Sequence, residues 1–288
     1  MVVGRVKELL PPVVHWELTK CDYGRNFSHP MKNLLLSLLV TVGLIGSSSA
    51  TVLTGDLTNG LVGYWNFHGN ADDVIGGNNA TLSGAELCPD RFGNENSALM
   101  ITSNGGGGNS LFDINVLGNA DRTLSYWLKF SSAAPHNHDN IYVGYGEDSF
   151  THKFGLSQEP SADIWFNGSY VDITTPYSDT PSYDQWRMIT ISYQNTIYNS
   201  TIYENGVAQS ISSYNASSST LNTTPSSLGF YGPVGGYIDD VTFYNTALSS
   251  SQESQLYAIQ SVPEPSTYAL LGLGAIGMLM VLRRKKTA

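Results

Sequence analysis

Short apolar alternations in the middle of the chain most constrain what it can fold into. In residues 123–130 every second side chain is large and apolar, and residues 187–193 repeat this spacing with Ile189, Ile191 and Tyr193. Side chains two residues apart on a β-strand lie on the same face. Both segments are therefore predicted to be antiparallel strands with one buried face, and in the first the buried side chains are Leu124, Tyr126, Leu128 and Phe130.

Other segments rich in β-branched and aromatic residues are separated by turn-forming clusters; they are residues 61–67, 140–145, 162–166, 197–204 and 237–244. The Asn205-Gly206 pair predicts a tight hairpin, because a type I′ turn needs positive φ at both central residues. The glycine run at 105–108 is interpreted as a flexible turn. One short helix is predicted at 250–258, where Ser250 and Glu253 have capping-box spacing. The pattern predicts an all-β sandwich or jelly roll.

The two ends of the chain have the composition of targeting segments. Residues 1–30 show no sustained periodicity and are predicted to be a non-native or disordered extension. Residues 31–50 combine a positive start at Met31-Lys32, an apolar run and the small residues Ser48-Ser49-Ala50, which indicates a helical signal peptide and a true start at Met31. Residues 51–260 are left as one sandwich domain and residues 261–288 as a C-terminal tail.

Charge excludes one class of partner. Residues 51–262 carry twenty Asp and Glu side chains against five basic ones, a formal charge of −15. A phosphate backbone is repelled by such a surface, and no basic stripe offsets the repulsion. Nucleic acid is therefore not an expected partner.

Several pieces of sequence, in a fixed order, resemble a LamG-like domain of the concanavalin A type. They include Trp65-Asn-Phe67-His-Gly69, Asp90-Arg-Phe-Gly93, Trp186-Arg-Met-Ile and Gly236-Tyr-Ile-Asp239-Asp. The resemblance covers residues 61–258 and implies a concanavalin A-like jelly-roll β-sandwich that binds carbohydrate or another surface component. The chain departs from the family at His68, where members often carry an acidic residue.

Asp239 is the most conspicuous polar candidate. Strict alternation over residues 237–244 would place Asp239 on the core face and Asp240 on the opposite face. A buried carboxylate needs hydrogen bonds, an ion pair or a metal. One interpretation is a structural carboxylate that accepts backbone N–H bonds. The other is a structural Ca²⁺ site, which would suit the resemblance, with further oxygen ligands from Asp72, Asp73 and Asn78.

The patterns of common hydrolases are missing from the sequence. Retaining glycosidases of the laminarinase type carry Glu-x-Asp-x-x-Glu on one strand, and the chain has no such run. We therefore expect no catalytic residues and no enzyme activity. Aromatic side chains favour a binding role instead, because sugar faces stack on exposed rings. Trp165, Tyr170 and Tyr177 are the candidate ligand-binding residues.

The tail after the sandwich resembles a PEP-CTERM sorting signal. Pro263, Glu264 and Pro265 precede an apolar run at 268–282, which is predicted to be a short transmembrane helix, and a basic cluster at 283–286. The resemblance implies recognition by an exosortase-like enzyme and removal of the tail. A plain C-terminal anchor is the alternative; it predicts that the mature protein keeps its basic end, which the intact mass of the surface protein would show.

These features together predict an exported bacterial protein with a membrane-anchored precursor and a mature form at the cell surface or outside the cell. Extracellular polysaccharide is the expected neighbour, through the association of such sorting systems with exopolysaccharide. A structural or adhesive matrix protein without a sugar ligand is the alternative, and a glycoside hydrolase is disfavoured.

Overall fold

A computed structural model describes residues 53–133, 140–147, 151–158, 164–167, 171–176, 182–216 and 218–263. These residues form two antiparallel sheets and one α-helix, as the strand-like pattern of the sequence predicts. The all-β prediction is thus confirmed. The proposed signal helix and the apolar run at 268–282 lie outside the described residues. Among the helices inside these ranges, none combines the length and the apolar character that a membrane crossing requires.

The strands, in chain order, are β1 (Leu61–Trp65), β2 (Ala80–Ser83), β3 (Ala85–Cys88), β4 (Ala98–Ile101), β5 (Gly106–Ile114), β6 (Arg122–Phe130), β7 (Ile141–Gly146), β8 (Lys153–Gln158), β9 (Ile164–Asn167), β10 (Val171–Thr174), β11 (Arg187–Gln194), β12 (Thr196–Glu204), β13 (Val207–Ala208), β14 (Ser213–Ala216), β15 (Ser226–Gly232) and β16 (Gly236–Tyr244). The helix α1 spans Ser250–Gln260.

Two sheets of eight strands each make up the sandwich. Sheet A has the order β13-β12-β11-β6-β16-β4-β3, and β1 also pairs with β16. Sheet B has the order β14-β10-β9-β8-β7-β15-β5-β2. In each sheet more than half of the pairings join strands that are not consecutive in the chain. The register of these pairings is set by the pattern of buried side chains.

The core lies between the inner faces of the two sheets. The predicted inner face of β6 packs in this cluster with Leu124, Tyr126, Leu128 and Phe130. The other face of β6 is buried as well, so the prediction of a single buried face was wrong for this strand. Aromatic rings from sheet B meet the inner-face side chains, and Phe154 lies edge-on to Phe243 with ring centroids 6.2 Å apart. Burial of large apolar side chains at about 25 cal/mol per Å² is what holds such a sandwich together.

A second apolar cluster lies on the outer face of sheet A, beneath α1. Trp127 points to this side of β6, and its ring stacks on Tyr257 of α1 with centroids 5.7 Å apart. Leu256 of the helix is fully buried in the same cluster. The helix therefore forms a third layer over sheet A, and the outer face of sheet B carries no helix within the described residues.

Of three local predictions from the sequence, one turn is confirmed, one capping box is shifted by a residue and one flexible turn is wrong. Asn205 and Gly206 have φ values of 50° and 74°, as the predicted hairpin requires. The capping box of α1 lies one residue earlier than predicted, because Ser249 is the N-cap and Gln252 its partner. The glycine run at 105–108 is not a flexible turn: Gly106, Gly107 and Gly108 belong to β5 and pair with β15. A Cβ on Gly107 would lie 1.8 Å from the Phe230 carbonyl oxygen, so glycine is needed there for close backbone approach.

Candidate functional site

Asp239 lies on the outer face of sheet A, not on the core face. The pairing of β16 with β6 shifts register between Asp239 and Thr242, and Asp240 has a φ of 46°. This β-bulge interrupts the alternation, since two residues then occupy the place of one. Both carboxylates consequently point to the layer beneath α1, where Asp239 is 1 % exposed and Asp240 is 2 % exposed. The predicted separation of the two side chains to opposite faces was wrong for this reason.

Arg91 holds the two carboxylates together. Its Nη1 donates to Asp239 Oδ2 at 2.5 Å and its Nη2 donates to Asp240 Oδ2 at 2.6 Å. Its Nε also donates to the carbonyl oxygen of Gln260 at the end of α1, at 3.1 Å. Tyr64 donates its hydroxyl to Asp240 Oδ1 at 2.5 Å. The Asp90-Arg-Phe-Gly motif thus supplies a buried cation that joins the bulge to the last turn of the helix.

Electrostatics of this group follow from burial. Burial alone would lower the pKa of Arg91, but the carboxylates of Asp240 and Asp239 raise it above its ordinary value. Burial and the neighbouring Asp240 raise the pKa of Asp239, against the Arg91 guanidinium, which lowers it. Arg91 thus forms structural ion pairs with two buried carboxylates. Loss of Arg91 would leave the charge of these carboxylates uncompensated.

The four residues proposed for calcium do not form one ligand set. Asp239 is bonded to Arg91, whereas Asp73 accepts backbone N–H bonds from Tyr64, Ile75, Gly76 and Asn78 at 2.9 to 3.1 Å. Asn78 uses its amide on the backbone of Phe112, and Asp72 is exposed. The described residues contain no cluster of three or more His, Cys, Asp or Glu side chains arranged to hold a metal. Asp239 is thus a structural carboxylate, but its main partner is Arg91, and it accepts one backbone N–H bond, from Asp240. The positions of the four residues do not fit one shared Ca²⁺ site.

A row of glycines marks the outer face of sheet B. Gly229 of β15 pairs with Gly144 of β7, which pairs with Gly155 of β8. Their chain neighbours Val143, Phe154 and Phe230 are in the core, so alternation directs the glycine positions outward. Three adjacent strands therefore present bare backbone at one level of the sheet.

Two tyrosine rings lie on this glycine row. A Cβ on Gly155 would lie 2.2 Å from Cε2 of Tyr142, and a Cβ on Gly229 would lie 2.3 Å from Cε2 of Tyr231. Tyr142 and Tyr231 are themselves cross-strand partners, and both are partly exposed. The glycines let each ring lie flat against the sheet, which leaves an aromatic surface without deep side-chain relief.

Polar groups border the two rings. Tyr231 donates its hydroxyl to Asn109 Oδ1 of β5. The Lys153 ammonium lies 5.0 Å from the centroid of the Tyr142 ring, within cation–π range. Ser157 of β8 pairs with Tyr142 but is only 4 % exposed. We call these groups the tyrosine platform: Tyr142, Tyr231, Gly144, Gly155, Gly229, Asn109, Lys153 and Ser157.

The predicted ligand-binding residues relate unequally to the platform. Trp165 lies in β9 and pairs with Ser157, so its backbone is in register with Tyr142 and Tyr231. Tyr170 and Tyr177 lie outside the described residues. Tyr142 and the glycine row were not predicted from the sequence. The only local signal was one glycine inside a predicted strand, Gly144, because Gly155 and Gly229 lie outside the predicted strands.

The sorting motif begins directly after the fold. Pro263 is exposed and stands three residues after the last residue of α1, while Glu264 and Pro265 lie outside the described residues.

The sandwich and the C-terminal tail each match a known family model. Residues 103–252, more than half of the chain, match the family model of the concanavalin A-like lectin/glucanases superfamily. Residues 261–285 match the PEP-CTERM protein-sorting motif. A search of curated proteins gives no match.

Solved structures with the same fold include two proteins of different activity. The sialidase of Trypanosoma rangeli in complex with 2,3-difluorosialic acid has a TM-score of 0.53 and 19% identity, covering 72% of this chain and 34% of that one. The binding domain of botulinum neurotoxin serotype D has a TM-score of 0.53 and 16% identity, covering 69% of this chain and 51% of that one. The chain spans about a third of the sialidase and about half of the toxin domain, so the likeness concerns the fold.

The PEP-CTERM motif indicates an exported, surface-targeted protein and implies processing by an exosortase-type system. The first four strands precede the matched range 103–252, yet β1, β3 and β4 complete sheet A and β2 completes sheet B. The chain therefore belongs to the concanavalin A-like lectin/glucanases superfamily, and it ends in a PEP-CTERM sorting motif.

Proposed function

We propose that this chain is a non-catalytic surface protein that binds neutral carbohydrate through the tyrosine platform. The observation that carries the proposal is the pair of rings, Tyr142 and Tyr231, held flat on a row of glycines on the outer face of sheet B. Flat, partly exposed rings that carry hydroxyl groups and have the exposed Asn109 amide beside them match the apolar faces and hydroxyl groups of sugars. The family's lectin members support the same reading.

Charge favours a neutral ligand. Four of the five basic residues in 51–262 are engaged elsewhere: Arg91 and Arg187 in ion pairs, Arg122 with Tyr145 and backbone carbonyls, and Lys129 over Trp186 and Tyr237. Lys153 is the basic residue of the platform, whereas the whole region carries −15. Polyanions would be repelled at low ionic strength.

The platform favours binding without bond cleavage. Its described side chains are tyrosine, asparagine, serine and lysine, whereas glycoside hydrolysis normally needs two carboxyl groups flanking the bond. We propose that the exported precursor is held at the membrane by its tail, that an exosortase-like enzyme removes the tail, and that the mature protein stays among extracellular polysaccharides. A structural or adhesive role without a sugar ligand is the alternative.

Substitutions that remove or displace one of the two tyrosine rings test the proposal. The full-length chain is expected to bind at least one of laminarin, xylan, arabinan and galactomannan in affinity electrophoresis, and Tyr142→Ala should weaken that binding about tenfold, since one aromatic contact contributes roughly 0.5–1.5 kcal/mol. Gly229→Ala should weaken it similarly, because the new Cβ must displace the Tyr231 ring.

Phe112→Ala is the matched control, because Phe112 is 66 % exposed and does not pair with the glycine row, which β5 meets at Asn109. This variant should bind as the original chain does. No retardation on any of the four polymers would contradict carbohydrate binding and favour the adhesive role. Equal binding by the original chain and both platform variants would place the site elsewhere.

A further inference from the structure

A second aromatic pair lies at one edge of the sandwich. Tyr198 of β12 and Tyr214 of β14 bring their rings to 5.4 Å between centroids, tilted by 47°. Tyr198 belongs to sheet A and Tyr214 to sheet B, so the pair bridges the two sheets. As whole residues, Tyr198 and Tyr214 are 63 % and 45 % exposed. Within the described residues neither phenol hydroxyl has a hydrogen bond.

Protection of the sheet edge explains only part of this arrangement. Large side chains often cover the open edge of a sandwich, and Tyr214 pairs with Ile173, a core residue of β10. A side chain that served only as a cover would be buried against its neighbours, yet both tyrosines are exposed. The exposed ring faces are thus available to a ligand.

A continuous cross-strand row connects this edge with the platform. Tyr231 pairs with Tyr142, Tyr142 with Ser157, Ser157 with Trp165, Trp165 with Thr174, and Thr174 with Ser213, the residue before Tyr214. The row crosses six strands, so its ends are about 24 Å apart at roughly 4.8 Å per strand spacing. A linear chain of sugars laid across the platform would therefore reach the edge of β14. It would have to turn there to meet Tyr214, which pairs with the core residue Ile173 and so lies on the opposite face of β14 from Ser213.

The groups at the end of the row are uncharged and hydroxyl-bearing. Thr174 Oγ1 lies 2.6 Å from Ser213 Oγ and 3.1 Å from Ser212 Oγ, and Asn199 is exposed beside Tyr198. Hydroxyls and amides can exchange hydrogen bonds with sugar hydroxyls without the cost of burying a charge. The edge thus shares the chemistry of the platform.

We propose that Tyr198 and Tyr214 form a second carbohydrate-contact site, which takes the continuation of a linear neutral polysaccharide that turns round the edge at β14. This inference rests on the proposed platform function and adds that the natural ligand is a polymer bound along its length. Linked contacts on one chain raise the apparent affinity, because the second contact is intramolecular.

Ligand length separates the two sites experimentally. The polymer that retards the full-length protein most in affinity electrophoresis is chosen. Affinities for the intact polymer and for its tetrasaccharide are then measured by isothermal titration calorimetry. Tyr198→Ala and Tyr214→Ala should each lower the affinity for the polymer about tenfold and leave the tetrasaccharide affinity unchanged. Tyr142→Ala should lower both, and Phe112→Ala neither. Thermal unfolding of each variant checks that the fold is intact.

Unchanged polymer affinity in both edge variants would overturn the edge site while leaving the platform proposal intact. An equal loss for polymer and tetrasaccharide would also overturn it, because the edge variants would then act through the platform. If the unaltered chain binds neither ligand, the platform function fails and the edge site fails with it.

Discussion

Replacing Glu253 with glutamine is expected to stabilise the chain at neutral and alkaline pH. Glu253 lies on the buried side of α1, is 0 % exposed, and neither carboxyl oxygen has a hydrogen-bond partner in the described residues. A hydrogen bond from the Thr190 hydroxyl would lower the pKa of Glu253, but that hydroxyl donates to Ser125 Oγ at 2.8 Å. Burial raises the pKa of Glu253 from 4.5 to about 8, so the folded chain keeps this carboxyl protonated at neutral pH.

The sign of the effect follows from proton uptake. Between pH 4.5 and about 8 the folded state holds a proton that the unfolded state has lost, so stability is fully present below pH 4.5 and falls as pH rises toward 8. At pH 7 the loss amounts to about 3 kcal/mol, at 1.36 kcal/mol per pH unit. Glutamine keeps the shape and carries no charge, so E253Q should remove this loss.

Urea unfolding at pH 5, 7 and 9 measures this loss of stability. The free energy of unfolding should fall with pH in the original chain and much less in E253Q. Glu86→Gln is the matched control, because Glu86 is exposed on β3 and should leave the pH dependence as it was. Parallel pH profiles for the original chain and E253Q would show that the buried carboxyl is ionised and compensated in the folded protein.

Replacing Arg91 with methionine should cost about 3–5 kcal/mol of unfolding free energy, because it leaves two buried carboxylates and a helix-terminal carbonyl without their donor. The Arg91 guanidinium also lies 4.3 Å from the Trp127 ring centroid, and methionine keeps part of that packing. The loss should therefore be electrostatic in origin. Urea unfolding at pH 7 measures it.

Two controls identify the source of that loss. Lys129→Met removes a partly exposed cation over Tyr237 and should cost less than 1 kcal/mol. The triple change Arg91→Met, Asp239→Asn and Asp240→Asn removes the unpaired charges and should regain a substantial part of the stability. If the triple variant is as unstable as R91M or less stable, the lost term is packing or hydrogen bonding, not charge.

The sequence predicted the inner-face residues of β6 and β11 well, because the apolar alternation there is regular. It predicted one buried face for each strand, however, and both faces are buried. β6 and β11 follow their apolar pattern over their whole length, and the Asn205-Gly206 turn follows from its backbone requirement. The prediction from alternation was wrong at Asp239 and Asp240, because a bulge adds one residue to β16. No pattern in that segment of the sequence indicates the bulge.

The platform was less accessible to sequence analysis, for a topological reason. Gly144, Gly155 and Gly229 become neighbours only through the order β15-β7-β8, and Gly229 is far from the other two in sequence. Glycines in separate strands could not be assigned to one row without the register. Trp165 was selected as an aromatic residue, and the structure adds only that its backbone shares a row with Tyr142 and Tyr231.

Binding on the outer face of sheet B is the central claim, and amide chemical shifts of the isotope-labelled full-length chain test it directly. During titration with the tetrasaccharide of the polymer that binds best, the resonances of Gly144, Gly155 and Gly229 should shift together and saturate, since these amides lie under the two rings. Shifts confined to the outer face of sheet A around α1, or no saturable shift at the glycine row, would contradict the claim.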